Sequence, residues 1–138
     1  MSFRYVIPQA VQPFTPAVRN FLPVPDSNKT ILQKANAALV AGDYEGFLSY
    51  CTDDTEWTFV GEQTLRGKAA VRKWMATAYK KPPIFLVKRL VAEDDFVTAL
   101  GTITLPEKGG QAVDYAYCDV WRFRDGKMAE LTAFVIKP

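Results

Sequence analysis

The C-terminal half of the chain constrains the fold most. Between Ile84 and Ile136, long runs alternate apolar or aromatic residues with polar ones, and each run ends on a turn signal. Alternation with a period of two marks a half-buried strand. Ile84 to Glu93 and Phe96 to Leu105 are joined at Asp94-Asp95, and Glu107 to Gly110 supplies the next turn. Ala112 to Arg124 and Met128 to Ile136 then flank Asp125-Gly126. That dipeptide between alternating runs is a strong hairpin signal, because both central turn residues take positive φ. An antiparallel meander of this kind has an apolar face to bury, so an earlier part of the chain must cover it.

That earlier part reads as helices. Ile31, Leu32, Ala35, Ala38 and Leu39 recur on one helix face after Asp26-Ser27, and Gly42 is a natural stop. Asp43 caps a short second helix whose Tyr44, Phe47, Leu48 and Cys51 share a side, and Asp53-Asp54 read as its end and the start of a turn. Thr55 to Val60 has the β-branched and aromatic content of a strand, and Gly61 to Gly67 reads as a loop. A third helix turns Val71, Trp74, Met75 and Ala78 inward before Pro82-Pro83 end it. Three helices, one early strand and a closing meander predict an α+β fold, a curved antiparallel sheet closed by helices around an apolar pocket. Residues 1–26 stand apart as a proline-rich arm, and residues 27–138 form the domain. In the arm Phe3, Tyr5 and Ile7 alternate like a short strand, and Thr15 caps a helical turn begun by Pro16. The arm is too aromatic for a solvated tail and is expected to pack on its own domain.

Composition narrows the chemistry. The 138 residues fit one domain, and nine Phe, six Tyr and three Trp furnish a bulky core. A net charge of +2, with Lys and Arg scattered no more densely than Lys80-Lys81 or Lys88-Arg89, argues against a nucleic-acid partner. No stretch has the run of about 20 apolar residues a membrane helix needs. The start of the chain is cut by Pro8, Pro13 and Pro16, so it makes a poor secretory signal and a cytoplasmic location is expected. Cys51 and Cys118 fit no metal or redox spacing and read as reduced and structural, with no metal implied. The chain contains no histidine. Ser–His and Cys–His nucleophiles, His-ligated zinc and imidazole acid–base catalysis are therefore excluded, and proton transfer falls to carboxylates, Tyr, Lys, a thiol or water.

The strand Ala112–Arg124 carries the candidate site. Side chains alternate across a sheet, so Tyr115, Tyr117, Asp119, Trp121 and Phe123 share one face, and Ala116, Cys118, Val120, Arg122 and Arg124 the other. Asp119 thus sits in the middle of the aromatic face, where lost hydration raises a carboxyl pKa. A carboxyl kept protonated there can donate a hydrogen bond to a substrate oxygen. Tyr115 and Tyr117 are the nearest hydroxyls and join Asp119 as candidate catalytic residues. On the early strand Glu56 and Thr58 share one face and Trp57 and Phe59 the other. Candidate substrate-binding residues are Thr58, Glu56, Trp57, Trp74, Trp121 and Phe123. The alternative is structural: backbone N–H groups or an Arg satisfy Asp119, and it only fixes strand register.

Ordered motifs add a resemblance. Ala41-Gly42-Asp43 with Phe47 and Asp53-Asp54, then Val60-Gly61 with Arg66-Gly67-Lys68-Ala69-Ala70-Val71, precede Cys118-Asp119-Val120-Trp121-Arg122-Phe123 and Asp125-Gly126-Lys127. Together they resemble the SnoaL-like and ketosteroid-isomerase-like group of the nuclear-transport-factor-2-like fold, over about residues 28–138. The resemblance implies a cone-shaped fold with a pocket between helices and sheet. It also implies a homodimer through the outer sheet face, with Cys118, Val120 and Arg122 toward that interface. Among family site residues, the protonated Asp of ketosteroid isomerases matches Asp119, while the base position falls on Thr58 and the Tyr position on Ala35. Histidine-dependent dehydratase chemistry of the scytalone type is excluded. The single Asp of SnoaL-type cyclases is met, and an epoxide-hydrolase-like Asp–Arg–Asp set would draw on Arg89. The implied function is a cofactor-independent isomerase, cyclase or lyase acting on a hydrophobic ring-containing ligand. The alternative is a non-catalytic ligand-binding or dimerisation domain.

Overall fold

A computed structural model describes residues 26–138. The strand and helical turn expected in the arm lie outside them. The described chain runs α1 (Asn28–Val40), α2 (Tyr44–Ser49), β1 (Cys51–Phe59), β2 (Gln63–Arg66), α3 (Lys68–Ala78), β3 (Ile84–Glu93), β4 (Phe96–Pro106), β5 (Ala112–Arg124) and β6 (Lys127–Ile136). The strands form one six-stranded sheet in the order β2-β1-β6-β5-β4-β3. All neighbours are antiparallel except β1 and β6, which run parallel.

Local chemistry sets the elements. Ser27 Oγ accepts the Thr30 N–H at 3.2 Å to open α1, and Asp43 Oδ1 accepts the Gly46 N–H at 2.8 Å to open α2. Between them Gly42, at φ 78°, donates to the Leu39 carbonyl while Asp43 donates to Ala38, the paired bonds of a Schellman stop. The two tight hairpins turn at Asp94 (φ 50°) and Asp125 (φ 51°), as their sequences predict.

Four sequence expectations are corrected. Asp53 and Asp54 do not end a helix but lie on β1, which starts at Cys51, and Cys51 therefore belongs to the strand and not to α2. The side chains of both point to solvent, where Lys68 meets Asp53 and Arg124 meets Asp54, so their polarity does not oppose the strand. The Gly61–Gly67 segment is not a plain loop, because Gln63–Arg66 turns back to pair with β1. Ala78, expected inward, is exposed at the end of α3.

The helices cover one face of the sheet, and Leu32, Phe47, Leu48, Val71, Met75, Val97 and Met128 are buried between the layers. Register shifts in β1, β3 and at the β5–β6 pair bend the sheet. The β3 shift lies opposite Gly101, where a Cβ would stand 1.9 Å from the Leu86 carbonyl oxygen and 2.9 Å from the Tyr117 ring. Only glycine lets β3, β4 and the Tyr117 ring approach this closely.

Candidate active site

Cross-strand register builds the concave face in rows. Asp119 pairs with Ala99 on β4 and Ala133 on β6, and Ala133 pairs with Phe59 on β1. One row deeper, Trp121 pairs with Val97 and Leu131, and Leu131 with Trp57. One row outward, Tyr117 lies between Gly101 and Val135. The small residues on either side of Asp119 leave open space over its carboxyl. That space is a cavity of about 90 Å³, walled by Phe47, Trp57, Phe59, Phe85, Tyr117 and Trp121 and roofed from α1 by Asn36 and Leu39. A single water requires roughly 10–15 Å³ of free volume. The cavity therefore has room for about one substituted six-membered ring.

Asp119 is the one carboxylate in this lining. Among the described residues its oxygens meet no hydrogen-bond donor or cation, and burial alone pushes its pKa up to about 7. The residue as a whole keeps some exposure, but its carboxyl lies within the aromatic enclosure. Near neutral pH it is a ready proton donor and a ready acceptor. Tyr117 is pushed up to about 12, by burial first and then by the Asp119 charge, so its hydroxyl stays a donor.

The structure gathers Asp119, Tyr117, Trp57 and Trp121 around the cavity and leaves the other sequence candidates outside its lining. The Tyr115 hydroxyl donates to Glu107 at 2.6 Å, and Lys137 meets the same carboxylate. Glu56 and Thr58 lie on the far face of β1, where Arg66 stands 3.4 Å from Glu56 and the Thr58 hydroxyl lies 3.2 Å from that of Thr64. Their inward neighbours Trp57 and Phe59 line the cavity instead. Trp74 supports the wall from behind, its ring 4.8 Å from Phe59 and 6.2 Å from Trp57, and Phe123 is buried in the core. Arg89 is exposed on β3, so no Asp–Arg–Asp set forms with Asp119.

Two polar lining residues escaped the sequence reading. Asn36 follows Leu32 by four positions and precedes Leu39 by three, so helix spacing places it on the edge of the buried face. Tyr79 continues the Val71–Met75 stripe by four more positions, just past the end of α3. Its carbonyl accepts the Tyr44 hydroxyl at 2.9 Å, and burial, then the Asp119 charge, raises its own pKa. Its hydroxyl, like that of Tyr117, is thus a protonated group near Asp119.

The SnoaL-like domain model matches residues 32–131. The chain belongs to the SnoaL-like family. Solved structures of the nuclear-transport-factor-2-like fold share its architecture. One is an NTF2-like protein of unknown function from Cytophaga hutchinsonii, at 19% identity and TM-score 0.68, covering 80% of this chain and 100% of that one. A candidate SnoaL-like polyketide cyclase from Jannaschia sp. aligns at 17% identity and TM-score 0.71, covering 85% and 90%. An epoxide hydrolase of the LEH-like type from M. tuberculosis aligns at 18% identity and TM-score 0.69, covering 78% and 81%. No curated protein matches the sequence at a significant level. Identities this low carry the fold and not the chemistry, so the SnoaL-like assignment leaves function to the cavity itself. Among the described residues, no helix is long and apolar enough to cross a membrane.

Proposed function

We propose that this SnoaL-like domain is a cofactor-independent enzyme of the isomerase, cyclase or lyase type, acting on a hydrophobic ring-containing carbonyl compound. The observation that carries the reading is the Asp119 carboxyl, enclosed by aromatic walls with its pKa pushed up to about 7. Asp119 serves as acid–base group or oxyanion donor, and Tyr117 orients the substrate oxygen. The cavity volume favours one ring at the reacting end over a fused polycyclic body.

The test is α-proton exchange of small ring ketones in deuterated buffer, followed by NMR. Asp119→Asn is expected to lower the exchange rate at least about 10²-fold while the fold survives. Undiminished exchange in that variant sinks the reading. The pH profile separates the roles: a base needs the ionised carboxyl and its rate rises through pH 7, whereas an oxyanion donor loses rate over the same interval.

A second reading, non-catalytic binding of the same ligand class, is favoured by one observation: no second carboxylate joins Asp119 in the lining. Saturable binding without exchange supports it. Either reading takes a homodimer as the working assembly. Leu86, Leu100, Phe134 and Ile136 are exposed on the outer sheet face beside Cys118, and a second copy of that face would cover them.

A further inference from the structure

Tyr79 brings a second tyrosine hydroxyl to the cavity, from the helical layer rather than from the sheet. Its backbone is fixed just past the end of α3. Its N–H donates to the Met75 carbonyl at 2.8 Å, and its carbonyl accepts the Tyr44 hydroxyl at 2.9 Å. The ring is held edge-on to Trp74 at a centroid distance of 5.1 Å and lies tilted against Tyr44 at 6.1 Å. Both backbone polar groups are thus occupied, while the hydroxyl bonds to nothing among the described residues. Nor is that hydroxyl sealed into the core, as the unpaired Thr52 Oγ1 and Trp57 Nε1 are. It keeps open surface on a residue that lines the cavity, close enough to Asp119 for the carboxylate charge to act on it. Phenylalanine would pack the same ring without an unpaired hydroxyl, so the oxygen itself calls for an explanation. Because α3 packs on β1 and β2, Tyr79 approaches Asp119 from a different side than Tyr117, its neighbour on β5.

We propose that Tyr79 is a catalytic residue of the cavity: its hydroxyl, together with that of Tyr117, hydrogen-bonds the substrate carbonyl oxygen, and Asp119 acts as the base. The inference rests on the reading of the cavity as an enzyme site for a ring ketone, and it assigns the roles within that site. Asp119 is the one carboxylate in the lining, so using it as the oxyanion donor would leave the cavity without a base. In the step, the Asp119 carboxylate takes an α-proton. The substrate C–H bond breaks, and an O–H bond forms on Asp119. The electron pair left on carbon closes a carbon–carbon double bond, and the carbonyl π pair moves onto oxygen as an enolate. Return of a proton to the same carbon completes exchange, and its return to another carbon of a conjugated system completes isomerisation. One negative charge occupies the cavity throughout, moving from Asp119 to the substrate oxygen. Hydroxyl dipoles already beside the first position can stabilise the second without reorganising. Burial, then the Asp119 charge, raises the pKa of both tyrosines, so they donate hydrogen bonds without losing their protons. The substrate class narrows to cyclic ketones with an acidic α-hydrogen.

The probe is cyclohexanone isotopically labelled at the carbonyl carbon, in deuterated buffer at a pH above the Asp119 midpoint of about 7. Exchange of its α-protons reports catalysis, and the carbonyl carbon signal, extrapolated to saturation, reports hydrogen bonding to the bound oxygen. Tyr79→Phe keeps the ring against Trp74 and the backbone tie to Tyr44, so the fold is expected to survive. The variant is expected to slow exchange at saturation about 10²-fold, the effect of removing one oxyanion donor, with KM near that of wild type. Its bound carbonyl signal is expected to move upfield, as a carbonyl carbon does on losing a hydrogen bond. A merely structural Tyr79 would leave that signal in place, so an unmoved signal overturns the proposal even if exchange falls. Undiminished exchange in Tyr79→Phe overturns it too, as does the absence of cyclohexanone binding up to its solubility. In wild type alone, a bound carbonyl signal upfield of its position in water marks a site without donors and has the same force. Asp119→Asn tells the two claims apart. Exchange lost in that variant but kept in Tyr79→Phe removes only the role of Tyr79, whereas wild-type exchange in Asp119→Asn removes the enzymatic reading itself.

Discussion

At the scale of single residues, the placement of Asp119 has a stability consequence with a definite sign. Its folded pKa of about 7 lies above the roughly 3.9 expected of the unfolded chain. Between those values the unfolded carboxyl ionises while the folded one stays protonated. The folded state therefore loses stability as pH rises from about 4 to 7, by about 2–4 kcal/mol in all. Asp119→Asn removes that penalty. The variant should exceed wild type in urea-unfolding stability at pH 8 and come close to it at pH 4.5, whereas an equal difference at both values contradicts a protonated Asp119. Tyr115 and Tyr117 make a second contrast. Tyr117→Phe takes a hydroxyl from the cavity and should raise KM or lower kcat, whereas Tyr115→Phe breaks a tie to Glu107 and should leave both unchanged. Alternation made Asp119, Tyr117 and Trp121 legible in the sequence. It also put Tyr115 on the right face, but it carries no information on how far along a strand a pocket extends.

At the scale of elements, close approach matters more than propensity. Gly101→Ala sets a methyl against the Leu86 carbonyl and the Tyr117 ring. It should cost about 1–3 kcal/mol in denaturant unfolding and shift the Tyr117 NMR signals, and an unperturbed ring would refute the tight β3–β4 approach. The helices, the meander and both tight hairpins were readable because each is specified by contacts close in sequence. β2 was not, since four residues between Gly61 and Gly67 acquire strand geometry only by pairing with β1. The same holds for Asp53 and Asp54, which lie on β1 with their side chains in solvent beside Lys68 and Arg124, residues well removed in sequence. The parallel pairing of β1 with β6 joins residues more than 70 positions apart, for example Cys51 with Met128. No local signal encodes such a pairing. Because β1 lies beside β6, its inward residues Trp57 and Phe59 complete the cavity wall, and Glu56 and Thr58 face the other way.

At the scale of the whole molecule, the curved sheet has two contrasting faces. The concave face holds the cavity, and the convex face exposes Leu100 and Phe134 on either side of Cys118. If a second copy covers that face, Leu100→Glu should convert a dimer to a monomer in light scattering while leaving ligand binding intact. A wild-type monomer would refute the proposed assembly. Because Asp119 and Cys118 are adjacent on β5, each face is one residue away from the other. The proposed dimerisation and the proposed ligand binding can therefore be tested one at a time.

The central claim is that the aromatic enclosure holds the Asp119 carboxyl protonated to near neutrality. Carboxyl-carbon NMR of the labelled protein, titrated from pH 3 to 9 with Asp119→Asn to identify the signal, tests it directly. The account predicts a midpoint for Asp119 near 7. A midpoint near 4, about the ordinary value for an Asp side chain in water, would contradict it.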